Sequence, residues 1–309
     1  MTRLLTRSDL GALLEPSACL AALRAGFLAV GAPVAIPGQR VRTDLPFPGT
    51  ATALMPGLLP GIEAYTVKVN AKFPDARPAL RGVLCLHSGV DGELLALLDS
   101  ATVTAWRTGL AAALGTDALA GSAEGAVVGV VGAGAQAELM VRGLSALRSY
   151  GELVVHDTDL ERAAEFAVRH GGRVLGSPKE IAAAADIVLL ATWSRTPLLF
   201  LADTREGQHL TSLGADEPGK RELAADLLDA ALVVVDDRQL VESVGALTPT
   251  DIDTTLGDVL RGDHPGRTDA GARSVYAPVG LPWQDLALAW LAYERAERDG
   301  VGRRVDLLG

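Results

Sequence analysis

A chain of 309 residues with 49% hydrophobic and 21% charged side chains has core material for two globular domains, and it carries no internal repeat or low-complexity tract. Its net charge of −10, 28 basic against 38 acidic side chains, argues against nucleic acid or an anionic membrane surface as partner. No apolar run approaches the roughly 20 residues of a membrane helix, and Met1-Thr2-Arg3-Leu4-Leu5 lacks the apolar core of a signal peptide, so a cytoplasmic location is expected.

In chain order, residues 8–29 read as an amphipathic helical region restarted at Pro16, with Leu10, Leu13, Leu14, Leu20, Leu23 and Phe27 at helical spacing. Residues 31–88 change to short segments bounded by Pro and Gly, the texture of a small β-rich domain. Within it the strand period of two puts Arg40 and Arg42 on one face. In residues 65–73 the same period turns Tyr65, Val67, Val69, Ala71 and Phe73 inward, and Thr66, Lys68, Asn70 and Lys72 to the other face. Those cations are either a solvated outer face or a ligand site. A hairpin turn at 89–93 and a strand at 94–99 lead to a helix from Thr102, which carries Trp106-Arg107-Thr108-Gly109 into an alanine-rich stretch. Arg107 stands between the β-rich domain and the cofactor fold that begins near residue 126, a suitable place to meet a substrate carboxylate. Trp106 is expected to pack.

Residues 126–131 form a short β-branched run, a strand buried on both faces, followed by Gly132-Ala133-Gly134-Ala135-Gln136-Ala137 and a helix over 136–147. A second strand, 152–156, ends in Asp157, 25 residues after Gly132. Strand, glycine turn, helix and acid together make a dinucleotide fingerprint: the loop approaches a diphosphate, and the acid meets the adenosine ribose hydroxyls. Cofactor contacts are therefore expected at Gly132, Gly134, Ala135, Gln136, Asp157 and Thr158. With no Arg adjacent to Asp157, NAD is favoured; Arg162, one helical turn on, keeps NADP possible.

The α/β rhythm continues through a helix at 159–169, a strand at 173–175, a helix at 178–184, and strands at 186–192, 209–213 and finally 232–235. Ligands of open parallel sheets bind outside the carboxyl ends of the strands, where Thr192, Trp193, Ser194 and Asp216 fall. From the residues alone Asp216, ahead of Pro218-Gly219, reads as a turn cap before it reads as a catalytic group. Cys19 and Cys85 lie in apolar surroundings as reduced, buried thiols, and the five histidines show no metal-ligand spacing, so no metal is expected.

One family accounts for the order of the remaining blocks. Leu54-Met55-Pro56, Val67-Lys68-Val69, Asp99 through Arg107-Thr108-Gly109, the glycine turn, Ala185-Asp186-Ile187-Val188, Gly214-Ala215-Asp216, Gly219-Lys220, Glu222-Leu223, Gly257-Asp258-Val259-Leu260 and Gln284-Asp285-Leu286-Ala287 make the sequence resemble the ornithine cyclodeaminase/mu-crystallin family over nearly its whole length. The resemblance implies an α/β fold. A Rossmann-type doubly wound parallel sheet over 119–282 would join a β-rich α+β substrate and dimerisation domain over 1–118 and 283–309, in a homodimer. It also implies roles. Arg42 and Arg107 would grip a substrate carboxylate, Lys68 would sit beside the reacting carbon, Asp216 would be the acid or base near the nitrogen, and Thr108 would join the cofactor contacts.

Such proteins interconvert an α-amino acid or cyclic imino acid with its imine or oxo acid by hydride transfer at the α-carbon, or act as cyclodeaminases that recycle NAD and release ammonia. A third alternative is a binder of nucleotide and small ligands with little turnover. Ornithine-acting members carry Glu directly before the Leu-Met-Pro block, where this chain has Ala53. A basic substrate amine without a nearby carboxylate is poorly held, which favours the dehydrogenase or imine reductase; Glu63 is the candidate substitute.

Overall fold

The structure, a computed structural model, describes residues 1–29, 41–46, 49, 51–73, 75–121, 125–217, 219–244, 247 and 249–307. Arg40 lies outside them. The chain divides into two compact units, Met1–Arg107 with Leu281–Gly309, and Thr108–Gly280.

The first unit begins with β1 (Thr2–Leu5), α1 (Arg7–Leu13) and α2 (Pro16–Ala29). Thr6 and Asp9 close a capping box on α1, and Pro16 opens α2 where its missing N–H is no loss. All six apolar positions named for this region are buried. An antiparallel run follows: β2 (Val41–Asp44), β3 (Ala51–Gly57), β4 (Ala64–Lys72), β5 (Leu80–Ser88) and β6 (Leu94–Asp99). Next, α3 (Ser100–Leu119) starts earlier than Thr102, because the Asp99 carboxylate accepts the Thr102 N–H at 2.9 Å and caps the helix from outside.

The second unit alternates β7 (Val127–Val131), α4 (Ala135–Leu147), β8 (Glu152–His156), α5 (Leu160–His170), β9 (Arg173–Val174), α6 (Pro178–Ala184), β10 (Ile187–Leu190) and β11 (His209–Ser212). It ends with α7 (Ala225–Asp229), β12 (Ala231–Val235), α8 (Arg238–Val244), β13 (Thr254–Thr255), α9 (Leu256–Arg261) and β14 (Arg273–Tyr276). Its sheet is parallel throughout, in the order β13-β12-β14-β11-β10-β7-β8-β9. The direction of winding reverses between β7 and β10, which makes a crevice at their carboxyl ends. This is the Rossmann-type arrangement. The strand at 232–235 is not the last one: β14, four residues too short to show a period, inserts between β11 and β12.

The chain then returns to the first unit as α10 (Pro282–Asp299) and β15 (Arg303–Val305), completing a seven-stranded sheet of order β15-β1-β6-β5-β4-β3-β2. The two units change over inside α3, at Arg107/Thr108, rather than after residue 118. The second half of α3 packs on α4 within the second unit, where a Cβ on Gly109 would stand 2.5 Å from Leu139 Cβ and only glycine fits.

Two expectations for the first unit reverse. Along β4 the buried residues are Ala64, Thr66, Lys68 and Asn70, with Lys68 1% exposed, while Val69 on the opposite face is 38% exposed. The reason is α10, which packs across that polar face and supplies partners for it. Cys85, on the outward face of β5, is only half-buried, whereas Cys19 is buried and its thiol is pushed up to about 12 by desolvation. No single helix among the described residues is long and apolar enough to cross a membrane.

Asp236, just after β12, fixes the exit from the second unit. Its buried carboxylate accepts the backbone N–H groups of Val279 at 3.0 Å and Gly280 at 2.6 Å. Desolvation, aided by neighbouring Asp237, pushes its pKa up to about 6 from 3.8. A raised folded-state pKa stabilises the fold below about pH 4, and that contribution is lost as the pH rises through about 6. Asp236→Asn is therefore expected to gain on the parent by at most about 3 kcal/mol between pH 4 and 7, less what the lost acceptor costs, measured by thermal denaturation across that range.

Candidate active site

In the second unit the glycine turn follows β7. Gly132 adopts φ +93°, donates to the His156 carbonyl at 2.8 Å, and leaves room for the Ala191 carbonyl, 2.7 Å from where a Cβ would stand. Gly134 is the N-cap of α4 and makes no side-chain cap; a Cβ there would meet nothing within 4 Å. The N–H groups of Ala135 and Gln136 thus begin a helix with no acceptor of their own, beside open space. The Thr108 hydroxyl is buried with no hydrogen-bond partner. These features fit a dinucleotide: an anion-ready helix start, space for its diphosphate, and an unsatisfied hydroxyl.

Asp157 is more than a ribose ligand in waiting. Its Oδ2 accepts the Ala133 N–H of the glycine turn at 2.8 Å and its Oδ1 accepts the Asp159 N–H at 2.9 Å, so it braces the loop. Arg162 Nη1 lies 3.4 Å from both oxygens, its Nη2 bonds Asp159 at 3.0 Å, and the Thr158 hydroxyl is 3.5 Å from Oδ1.

The loop after β10 is held by Glu222, which the sequence marks only as part of a family block and not by any local signal of this role. Buried Glu222 accepts the Thr192 N–H and hydroxyl at 2.6 Å each through Oε1, and the Ser212 hydroxyl at 2.7 Å through Oε2. Desolvation raises its pKa, against the pull of those donors and of Lys220. Ser194 continues the loop, its N–H bonding Thr192 Oγ1 and its hydroxyl the Thr196 carbonyl, while Trp193 projects outward, 54% exposed. Asp216, in the turn after β11, pairs with Lys220 Nζ at 2.6 Å, and Lys220 also bonds the Leu213 carbonyl at 3.3 Å. It is an ion-paired carboxylate, 29% exposed, rather than a buried one.

In the first unit β4, α3 and α10 bring together a charged cluster. Lys68 Nζ donates to Asp285 Oδ2 at 2.5 Å and to Thr104 Oγ1 at 3.5 Å. Arg107 Nε lies 3.4 Å from Asp285 Oδ1, and its Nη1 donates to Gln284 Oε1 at 3.5 Å. Asn70 extends the network to Thr104 at 3.4 Å and to the Ser100 hydroxyl. The predicted residues Lys68 and Arg107 are thus one buried group; Asp285 and Gln284 are additions, legible in the sequence only as part of a family block. Arg42 stands apart. It pairs with Asp44 on β2 and faces Ala53, which in turn faces Asn70, so it shares the Lys68 face from two strands away, about 10 Å by strand spacing. Among the described residues no group of three or more His, Cys, Asp or Glu is placed to hold a metal ion.

A doubly wound parallel unit with a phosphate-ready glycine turn, in one chain with a mixed, mostly antiparallel unit holding buried cations, defines a two-domain protein of the Rossmann type. Residues 2–300 match the ornithine cyclodeaminase/mu-crystallin family, and the chain belongs to it. It is similar to the alanine dehydrogenase of Archaeoglobus fulgidus, with 30% identity over 240 residues that cover 74% of each protein. Among solved structures, an archaeal alanine dehydrogenase dimer with bound NAD matches with a TM-score of 0.90 at 25% identity, covering 99% of both chains. The Δ1-pyrroline-2-carboxylate reductase of Thermococcus litoralis, in complex with NADH and L-proline, matches with a TM-score of 0.88 at 26% identity, covering 98% of this chain and 100% of that one.

Proposed function

We propose that this protein is a nicotinamide-dependent oxidoreductase that interconverts an α-amino acid, or a cyclic imino acid, with its imine or oxo acid. The observation that carries this reading is the Lys68–Asp285–Arg107 cluster: among the described residues two buried cations meet the same carboxylate, an arrangement that is expensive to keep unless a ligand carboxylate adds to the balance. When bound, the nicotinamide supplies or accepts the hydride at the substrate α-carbon.

The protein's residues do the rest. Arg107, whose fork matches a carboxylate, anchors the substrate acid, and Arg42 assists from β2. Lys68 holds its ammonium toward the same acid and fixes the α-carbon in place. Asp216 moves the proton at the substrate nitrogen, giving it in reduction and taking it in oxidation. Gly132, Gly134, Ala135 and Gln136 hold the diphosphate, Asp157 and Thr158 face the adenosine ribose, and Thr108, Thr192, Trp193 and Ser194 line the remaining cofactor contacts. The Asp157 carboxylate disfavours a 2′-phosphate, and Arg162 is already engaged by two acids, so the cofactor is NAD.

The protein works as a homodimer. A row of aliphatic side chains, Val41, Leu54, Val69 and Val83, crosses four neighbouring strands on the outward face, the first three exposed by 51%, 44% and 38%. An apolar row of this kind on a sheet face suits a second copy of the chain. Leu54→Arg is expected to give a monomer in light scattering at micromolar concentration.

The deciding experiment follows reduced nicotinamide at 340 nm with NADH or NADPH against a panel of oxo acids plus ammonia or methylamine, and of cyclic imino acids. Steady loss of NADH with one of them supports the reading and names the substrate. Ammonia release from ornithine or lysine without net nicotinamide change replaces it with a cyclodeaminase.

A further inference from the structure

We infer that Asp285 sets the described group Lys68, Arg107 and Asp285 to a single uncompensated positive charge, which makes it a site for amino or imino acids with one carboxylate and an uncharged side chain. This rests on the proposed function, in which Lys68 and Arg107 hold the substrate. It concerns a residue to which that reading gives no contact with the reacting atoms: Asp285 is a positioning residue and a selector of charge.

The pairing sets the charge. Asp285 Oδ2 is committed to Lys68 Nζ at 2.5 Å, a tight charge-assisted bond between two groups that are both almost fully buried. Its other oxygen faces Arg107 Nε at 3.4 Å, yet neither atom makes a hydrogen bond. One cation is satisfied and the other is only screened. Gln284, next on the same helix, accepts Arg107 Nη1 at 3.5 Å and the Leu281 N–H at 3.2 Å through one oxygen, and so steadies the guanidinium without adding charge. Arg42, on the same sheet face, already has its counterion in Asp44. One carboxylate from a ligand therefore closes the balance.

Both kinds of charged side chain are then penalised. A second carboxylate finds no unpaired cation in this group and feels the Asp285 charge nearby. Among the described residues of this face a distal ammonium meets an Asp285 already engaged by Lys68, and the residue facing Asn70 is Ala53, a methyl group.

The test uses full-length protein saturated with NAD⁺, in which no net reduction runs, and calorimetry with two oxo acids of equal chain length, 2-oxovalerate and 2-oxoglutarate. The parent is expected to bind 2-oxovalerate at least about tenfold more tightly. Asp285→Asn, which keeps an acceptor for Lys68 but removes the charge, is expected to tighten 2-oxoglutarate about tenfold and to narrow the preference; Asp285→Glu is expected to restore it. A parent that prefers the dicarboxylate, no measurable binding of 2-oxovalerate, or an Asn variant with the parental ratio overturns the inference. Should the Asn variant fail to fold, the ratio in the parent decides alone. Lys68→Met and Arg107→Gln separate the two levels. If neither weakens 2-oxovalerate, the underlying reading falls; if both do and the ratio ignores position 285, only the inference falls.

Discussion

Lys68→Met is expected to lower kcat by about 10²- to 10³-fold, the scale on which removal of one preorganised charge from a reacting centre acts. Methionine matches the length of the lysine stem, so the seat between Thr104 and Asp285 stays filled and the loss isolates the ammonium. KM should rise less than kcat falls, because the contact proposed between Arg107 and the substrate carboxylate is kept in this variant. The variant leaves Asp285 beside Arg107 alone, so some stability is lost, and the comparison belongs at a temperature well below its melting point. Steady-state kinetics at 340 nm on the substrate identified for the parent makes the measurement, with Asp216→Asn alongside. Full turnover in both variants would remove the assignment of these residues.

Glu222→Ala is the second large expected effect, and it acts on structure and cofactor together. One buried carboxylate satisfies a backbone N–H and two hydroxyls from the exits of β10 and β11. Truncation orphans all three donors and opens a cavity, at a cost of about 3 kcal/mol. Because Thr192 is the anchor of the loop carrying Trp193 and Ser194, the affinity for NADH should also fall by about tenfold or more. Glu222→Gln provides the contrast. Its carbonyl oxygen can serve Thr192, and the Ser212 hydroxyl can turn to accept from its amide, so both losses should be small. Denaturant titration and NADH fluorescence read the two effects. An Ala variant that unfolds early yet binds NADH like the parent would break the link between Glu222 and the cofactor loop.

Local signals explain what is legible in the sequence. The glycine turn, the acid at the end of β8 and the capped helices are each written within a few residues, and the structure bears out the fold class read from them. The faces of β4 are not legible in the same way. Alternation shows that a strand has two faces and is silent on which one is covered. The cover here is α10, whose Asp285 is 217 residues away from Lys68 in sequence. For the same reason periodicity alone turns the polar face outward and the aliphatic face inward, the opposite of what the chain does. Lys68 and Arg107 are legible as a pair because a family block marks each. Glu222 also stands in a family block, but its role is not legible there, since that role exists only where donors from the ends of two strands converge. β14 escapes because four residues with no period cannot be told from a loop.

The pairing of β1 with β15, and of Lys68 with a carboxylate on α10, has a consequence for synthesis on the ribosome. The strands that precede the second unit cannot finish their own sheet, because its edge strand β15 and the Asp285 carboxylate on α10 are translated only after that unit. The central stretch, Thr108–Gly280, is contiguous in sequence and forms one compact unit, so its own contacts can form once it clears the exit tunnel. Maturation is therefore expected to run from the middle outward. Until α10 and β15 emerge, the nascent protein carries β1 without its edge partner, and Lys68 and Arg107 without Asp285.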